Sequence, residues 1–153
     1  MRSSLPRILL VPSLLALSFV ATSTRASAPP TRYTYPASGT VFDTATRLTW
    51  QRAMSDTIVS QADAIAYCSS LDLAGGGWRL PTAKEMLTLV DYSVPTGLPM
   101  IDGTAFPMTP AKVFWSATAL GGGGAVNVWF QSGGLGADYA GFSPDASLAR
   151  CVR

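Results

Sequence analysis

In the run Val126-Asn127-Val128-Trp129-Phe130-Gln131, polar and aromatic side chains alternate with apolar ones. Extended backbone sends successive side chains to opposite faces. Asn127, Trp129 and Gln131 therefore share one face, and Val126, Val128 and Phe130 the other. An indole between two carboxamides suits a sugar: the ring covers the C–H face of a pyranose while the amides bond its hydroxyls. Packing in a core or at an interface uses the same residue types, so both readings stand. Trp50, Trp78 and Trp115 sit in apolar runs or beside a helix start and are expected to be core.

Other chemistry is conspicuous by what the chain lacks. It contains no histidine, which removes Ser-His-Asp and Cys-His catalysis, a histidine general base and His-ligated zinc. The single glutamate, Glu85, falls three residues after Thr82. That spacing is a capping box, in which the hydroxyl accepts the N3 amide and the carboxylate reaches back to the cap amide. The eight aspartates are scattered, with no two at i, i+2 or i, i+4, so neither an EF-hand loop nor a facing carboxylate pair is legible. None of the glycine runs ends in Gly-Lys-Ser/Thr as a phosphate loop does. The expectation is a protein that is not an enzyme, with no cofactor and no metal.

The elements that must position these residues can be read from period and punctuation. Val41–Asp43 and Arg47–Gln51 flank Thr44-Ala45-Thr46 and predict a hairpin. Gln61–Leu71 carries Ala64, Cys68 and Leu71 at helical spacing, with Ser60 as cap and Asp63 three residues on. A second short helix is expected over Ala83–Val90. Residues 91–112 hold four prolines and no period, and read as a stiff loop. Strands are expected at Val113–Ala117, Ala125–Gln131, Asp138–Phe142 and Leu148–Val152, with turns at Gly121–Gly124 and Gly133-Gly134. Helices first and short strands after them argue an α+β domain, two short helices packed on antiparallel strands.

The N-terminus reads as a targeting segment. Arg2 and Arg7 precede an apolar run from Ile8 to Val20, and small residues follow, with Ala26-Ser27-Ala28 matching a peptidase site. That order is a secretory leader over residues 1–28, cut after Ala26 or Ala28, and the run is too short to span a membrane. Residues 29–40 read as a linker and 41–153 as the domain. Of 11 basic and 9 acidic side chains, Arg2, Arg7 and Arg25 lie in the leader. The mature chain then has eight basic against nine acidic groups, a net charge of −1. Such a balance does not support nucleic acid or anionic lipid as a partner. In an oxidising compartment the two cysteines, Cys68 and Cys151, are expected to pair. A loop that long would stabilise the fold by roughly 4–5 kcal/mol in the chain-entropy model.

Motifs in series carry a resemblance. The segment from Val41 to Gln51 is similar to the opening hairpin of the Lcl C-terminal domain family. Ala66-Tyr67-Cys68, Trp78-Arg79-Leu80-Pro81-Thr82-Ala83-Lys84-Glu85, Ile101-Asp102-Gly103-Thr104-Ala105-Phe106-Pro107, Phe114-Trp115-Ser116-Ala117-Thr118 and Arg150-Cys151-Val152-Arg153 continue it in order. The resemblance implies a fold similar to C-type lectins and formylglycine-generating enzymes, in which a disulfide joins the first helix to the last strand. The family's namesake is a bacterial surface adhesin, collagen-like apart from this domain, that recognises sulfated glycosaminoglycans. Here there is no collagen-like stretch, the mature charge suits polyanions poorly, and the lectin calcium motifs are absent. Paired reactive cysteines like those of the formylglycine enzymes are missing as well.

Two functions from different classes follow as expectations. One is an exported, periplasmic or extracellular bacterial module that binds carbohydrate or cell-surface material through Asn127, Trp129 and Gln131. The other is a structural or assembly protein of the envelope, packing against itself as a homo-oligomer or against a partner. A residual enzyme related to the formylglycine generators is the third and weakest.

Overall fold

The computed structural model describes residues 28–57, 59–139 and 147–153. Six strands and two helices follow one another as β1 (Tyr33–Thr34), β2 (Thr40–Asp43), β3 (Leu48–Gln51), α1 (Gln61–Ser70), α2 (Ala83–Leu87), β4 (Val113–Leu120), β5 (Gly124–Trp129) and β6 (Gly134–Tyr139). They make two antiparallel three-stranded sheets, β1-β2-β3 and β4-β5-β6. The class is α+β, as expected. No helix among the described residues is long and apolar enough to cross a membrane.

The C-terminal segment, expected as a regular strand over Leu148–Val152, is instead a seam between the sheets. Its amides and carbonyls bond to β3 through Thr49 and Gln51, to Ser55 just beyond it, and to β4 through Val113 and Trp115. Val152 bridges both Trp50 and Arg79, and Leu148 runs parallel to Phe114. Because it serves partners on two sides in alternation, it joins neither ladder for long enough to become a strand of its own. Cys151 lies in this seam and is bonded to Cys68 of α1, with Cα atoms 5.4 Å apart. The bond matters to α1, whose wholly buried side chains are only Ala64 and Cys68.

The β4-β5-β6 sheet is buried on both faces where Phe114–Ser116 of β4 pair with the middle of β5. Phe114, Val128 and Phe130 pack into the larger core with Trp50, Met86 and Phe106. Trp115 and Ala125 face a smaller one built from Ala64, Cys68, Trp78, Leu80, Ala149 and Cys151. The register of β4 shifts between Trp115 and Ala119, the signature of a bulge. Both helices are tied to this stretch: Gln61 Nε2 donates to the Ser116 carbonyl at 2.8 Å, and the Ala83 amide to Thr118 Oγ1 at 2.9 Å.

Several boundaries differ from those expected: β4 runs to Leu120 rather than Ala117, and β5 ends at Trp129 rather than Gln131. The second helix stops at Leu87 rather than Val90, because the amides of Thr88, Leu89 and Val90 take carbonyls three residues back and the turn tightens. The last sheet strand begins at Gly134 rather than Asp138. Gly133 alone, at φ +70°, closes the turn, and both Ser132 and Gly133 donate to the Trp129 carbonyl. Residues 140–142 of the expected strand lie outside the described residues, as does the expected leader over residues 1–28 apart from Ala28. The segment 29–40, read as a linker, supplies β1 and the start of β2. Arg32 there pairs with the buried Asp43 at 2.9 Å and also donates to the Thr88 carbonyl. Such a two-residue strand has no periodicity of its own; its partner defines it.

Candidate functional site

On β5, Asn127 and Trp129 do share a face, and they touch. The Trp129 indole Nε1 donates to Asn127 Oδ1 at 2.7 Å, and Asn127 Nδ2 donates to Asp138 Oδ2 at 2.9 Å. The three side chains form one directed chain from indole to carboxylate. Asn127 pairs in register with Gly136, and Ala125 with Asp138, so the Asn127–Asp138 bond is a cross-strand diagonal. Gly136 is the reason it closes. A Cβ there would fall inside the contact radius of both Asn127 Oδ1 and Trp129 Nε1, so the indole edge and the amide lie directly over bare backbone.

Exposure separates Trp129 from the other tryptophans. It is 39% exposed, while Trp50, Trp78 and Trp115 are at 0%, 4% and 5%. The core assignment of those three is correct; Trp78 and Trp115 also donate their indole N–H groups to the carbonyls of Leu73 and Val59. Asn127 is buried and Asp138 half-buried. Gln131 stands apart from this pair. The strand ends at Trp129, and Gln131 lies in the β5–β6 turn, where its carbonyl accepts from the Gly97 amide at 2.7 Å. Asp138 is in the expected strand Asp138–Phe142, but that strand starts four residues after the observed Gly134, so its partner across the hairpin could not be read. Counting forward from a turn closed at Gly133 places Gly134, Gly136 and Asp138 on the Trp129 face.

Thr82 and Glu85 form the capping box on α2: Thr82 Oγ1 accepts from the Glu85 amide, and Glu85 accepts from the Thr82 amide at 2.8 Å. Arg79 adds a bidentate pair to the same carboxylate, at 2.7 and 2.8 Å. Those two bonds first, then the Thr82 amide and hydroxyl, hold the Glu85 acid down at about 2. A carboxylate so engaged is a structural anion with no poise for proton transfer. A separate cleft of about 190 Å³, just past the end of α2, is lined by Arg32, Tyr33, Asp91, Tyr92 and Asp102 among others. Its charged groups are bonded within the protein, Arg32 to Asp43 and Asp102 to the amides of Ala28, Thr104 and Ala105. Among the described residues no three His, Cys, Asp or Glu side chains are grouped to hold a metal ion.

The Trp129 surface therefore holds a large, half-exposed aromatic side chain fixed by the buried Asn127. It offers a flat apolar ring beside a carboxylate. The family model described as the Lcl C-terminal domain matches residues 39–153, most of the chain and every element from β2 onward. No curated protein and no solved structure matches the chain.

Proposed function

Because this chain belongs to the Lcl C-terminal domain family, we propose that it is an exported, non-catalytic binding module that recognises carbohydrate or cell-surface material through the Trp129 surface. The observation that carries this reading is the fixed, half-exposed indole: its N–H is held by a buried Asn127 that is itself held by Asp138. Preorganisation of this kind lowers the cost of ordering a side chain on binding. A lectin-like relation of helix to C-terminal segment is part of the proposal, supported by the Cys68–Cys151 bond. Export is supported by the leader pattern in residues 1–28 and by that disulfide.

A second reading, assembly in the bacterial envelope, draws on a different observation. Among the described residues β6 pairs only with β5, and Leu135 on it is 55% exposed. An open strand edge with an apolar side chain can pair with another chain. A glycan array on the disulfide-bonded protein, run with calcium and again with chelator, separates the two. Binding that survives chelation and is lost in Trp129→Ala supports the first. A blank array together with concentration-dependent sedimentation supports the second and sinks the first.

A further inference from the structure

The hydrogen bonds of the Trp129 surface restrict what it can recognise. Trp129 Nε1 is engaged by Asn127, so the indole presents ring face and carbon edge but no donor. Asn127 is 3% exposed and joined to Trp129 and Asp138 at its two ends, so its amide presents nothing outward. The group left to meet a ligand's polar atoms is the half-buried Asp138 carboxylate, with one oxygen held by Asn127. An ionised carboxylate accepts hydrogen bonds and donates none. Among the described residues, no Lys or Arg bonds or pairs with Asp138, Asn127 or Trp129.

From this, resting on the reading that the surface binds carbohydrate, we infer the ligand class: a pyranose that is uncharged or carries an amino group, with sulfated and uronic-acid sugars rejected. The ring covers one C–H face, and Asp138 accepts from a hydroxyl or ammonium at its rim. A sulfate or carboxylate in that position would meet a like charge across a partly desolvated surface, and among the described residues no lysine or arginine pairs with Asp138 to offset it. The charge of the mature chain acts in the same direction at longer range.

The test uses the full-length, disulfide-bonded chain and four probes: methyl β-glucopyranoside, methyl β-galactopyranoside, glucosamine and a heparin hexasaccharide. Calorimetry and the emission of Trp129 report binding in parallel. The expected result is binding of at least one of the first three and none of the heparin fragment. Trp129→Ala abolishes that binding, and Asp138→Asn weakens it by about tenfold or more, as loss of a charged hydrogen bond should. Unfolding midpoints of both variants serve as the check on folding. Heparin bound in preference, and more tightly by Asp138→Asn, would overturn the ligand class while leaving the carbohydrate reading intact. No probe bound, or binding indifferent to Trp129→Ala, would overturn the carbohydrate reading and the class with it.

Discussion

The indole nitrogen of Trp129 lies 2.7 Å from the side-chain oxygen of Asn127, and both sit over a glycine, Gly136, on the neighbouring strand. Three residues on two strands thus decide the orientation of one exposed ring. Substituting Gly136 by alanine places a methyl group where the indole edge and amide now lie. The displaced ring is half-exposed but the Asn127 amide is buried, so the cost to stability should be about 1–3 kcal/mol. The local effect should be larger than the global one. Acrylamide quenching checks this directly, since the other three tryptophans are buried. Gly136→Ala should raise the quenching constant, and Trp129→Phe should remove nearly all accessible emission. Unchanged quenching in Gly136→Ala would mean that the glycine does not set the ring.

The Arg79–Glu85 pair predicts a pH dependence of fixed sign. Glu85 has its folded acid constant lowered from 4.5 to about 2, first by Arg79 and then by the Thr82 cap. A depressed carboxyl contributes stability that is fully present above its unfolded value and is lost as pH falls through the folded one. The loss should therefore develop between about pH 4.5 and 2. Both side chains are partly solvated, so the ion pair itself is worth no more than about 1 kcal/mol. Denaturant midpoints across that range should fall less steeply in Glu85→Gln, which keeps the cap geometry but not the charge. Glu85→Ala removes the box as well and should cost about 1–2 kcal/mol at neutral pH. Asp43 is also lowered: its own burial opposes ionisation, and Arg32 with the Ala45 amide outweighs it. Some acid dependence therefore remains in either variant.

What the sequence discloses here depends on how local the cause is. The Thr82–Glu85 box was legible because both partners lie within one turn, and the packing of Trp50, Trp78 and Trp115 because apolar neighbours surround them. Asn127 and Trp129 were legible as a shared face because alternation is a property of a single strand. Asp138 was not, since it reaches that face only through the register of a hairpin, and register turns on which glycine bends. Arg79 on Glu85 and Arg32 on Asp43 were missed for a related reason. Each pair joins segments whose proximity is created by packing, and β1 exists only because β2 accepts it.

The disulfide gives a third prediction. It links Cys68 to Cys151 across 83 positions and fastens a helix with little apolar surface to the seam between the sheets. Reduction, or the double substitution to alanine, should cost roughly 4–5 kcal/mol in the chain-entropy model. The helix should loosen first, because Ala64 is its only other wholly buried side chain. Hydrogen exchange with and without reductant reads both effects: α1 amides should lose protection before those of β4 and β5. Uniform loss across the chain would show that α1 is held by packing alone.

Arg150 poses the sharpest question about what holds the fold. Its guanidinium is fully buried, and no carboxylate pairs with it among the described residues. It donates to the Arg52 carbonyl at 3.1 Å and to Thr109 Oγ1 at 2.6 Å, while Nε has no partner. The rings of Phe106 and Phe114 lie 4.6 and 5.9 Å from its centre. Burial pushes its acid constant down to about 9, which still leaves it cationic at neutral pH. The planar ion stacks on aromatic faces and is weakly hydrated, so it tolerates such a site as an ammonium does not. Lysine would carry a compact, strongly hydrated charge into the same cavity and could not reproduce the stack. Methionine would leave the Arg52 carbonyl short of a donor but would remove the buried charge altogether, an exchange that is often close to neutral. Arg150→Lys should therefore destabilise the domain by about 3 kcal/mol or more, and Arg150→Met by less. Urea unfolding of the two variants decides the matter: a methionine variant weaker than the lysine one would show that the hydrogen bonds, rather than the aromatic stack, hold residue 150 in place.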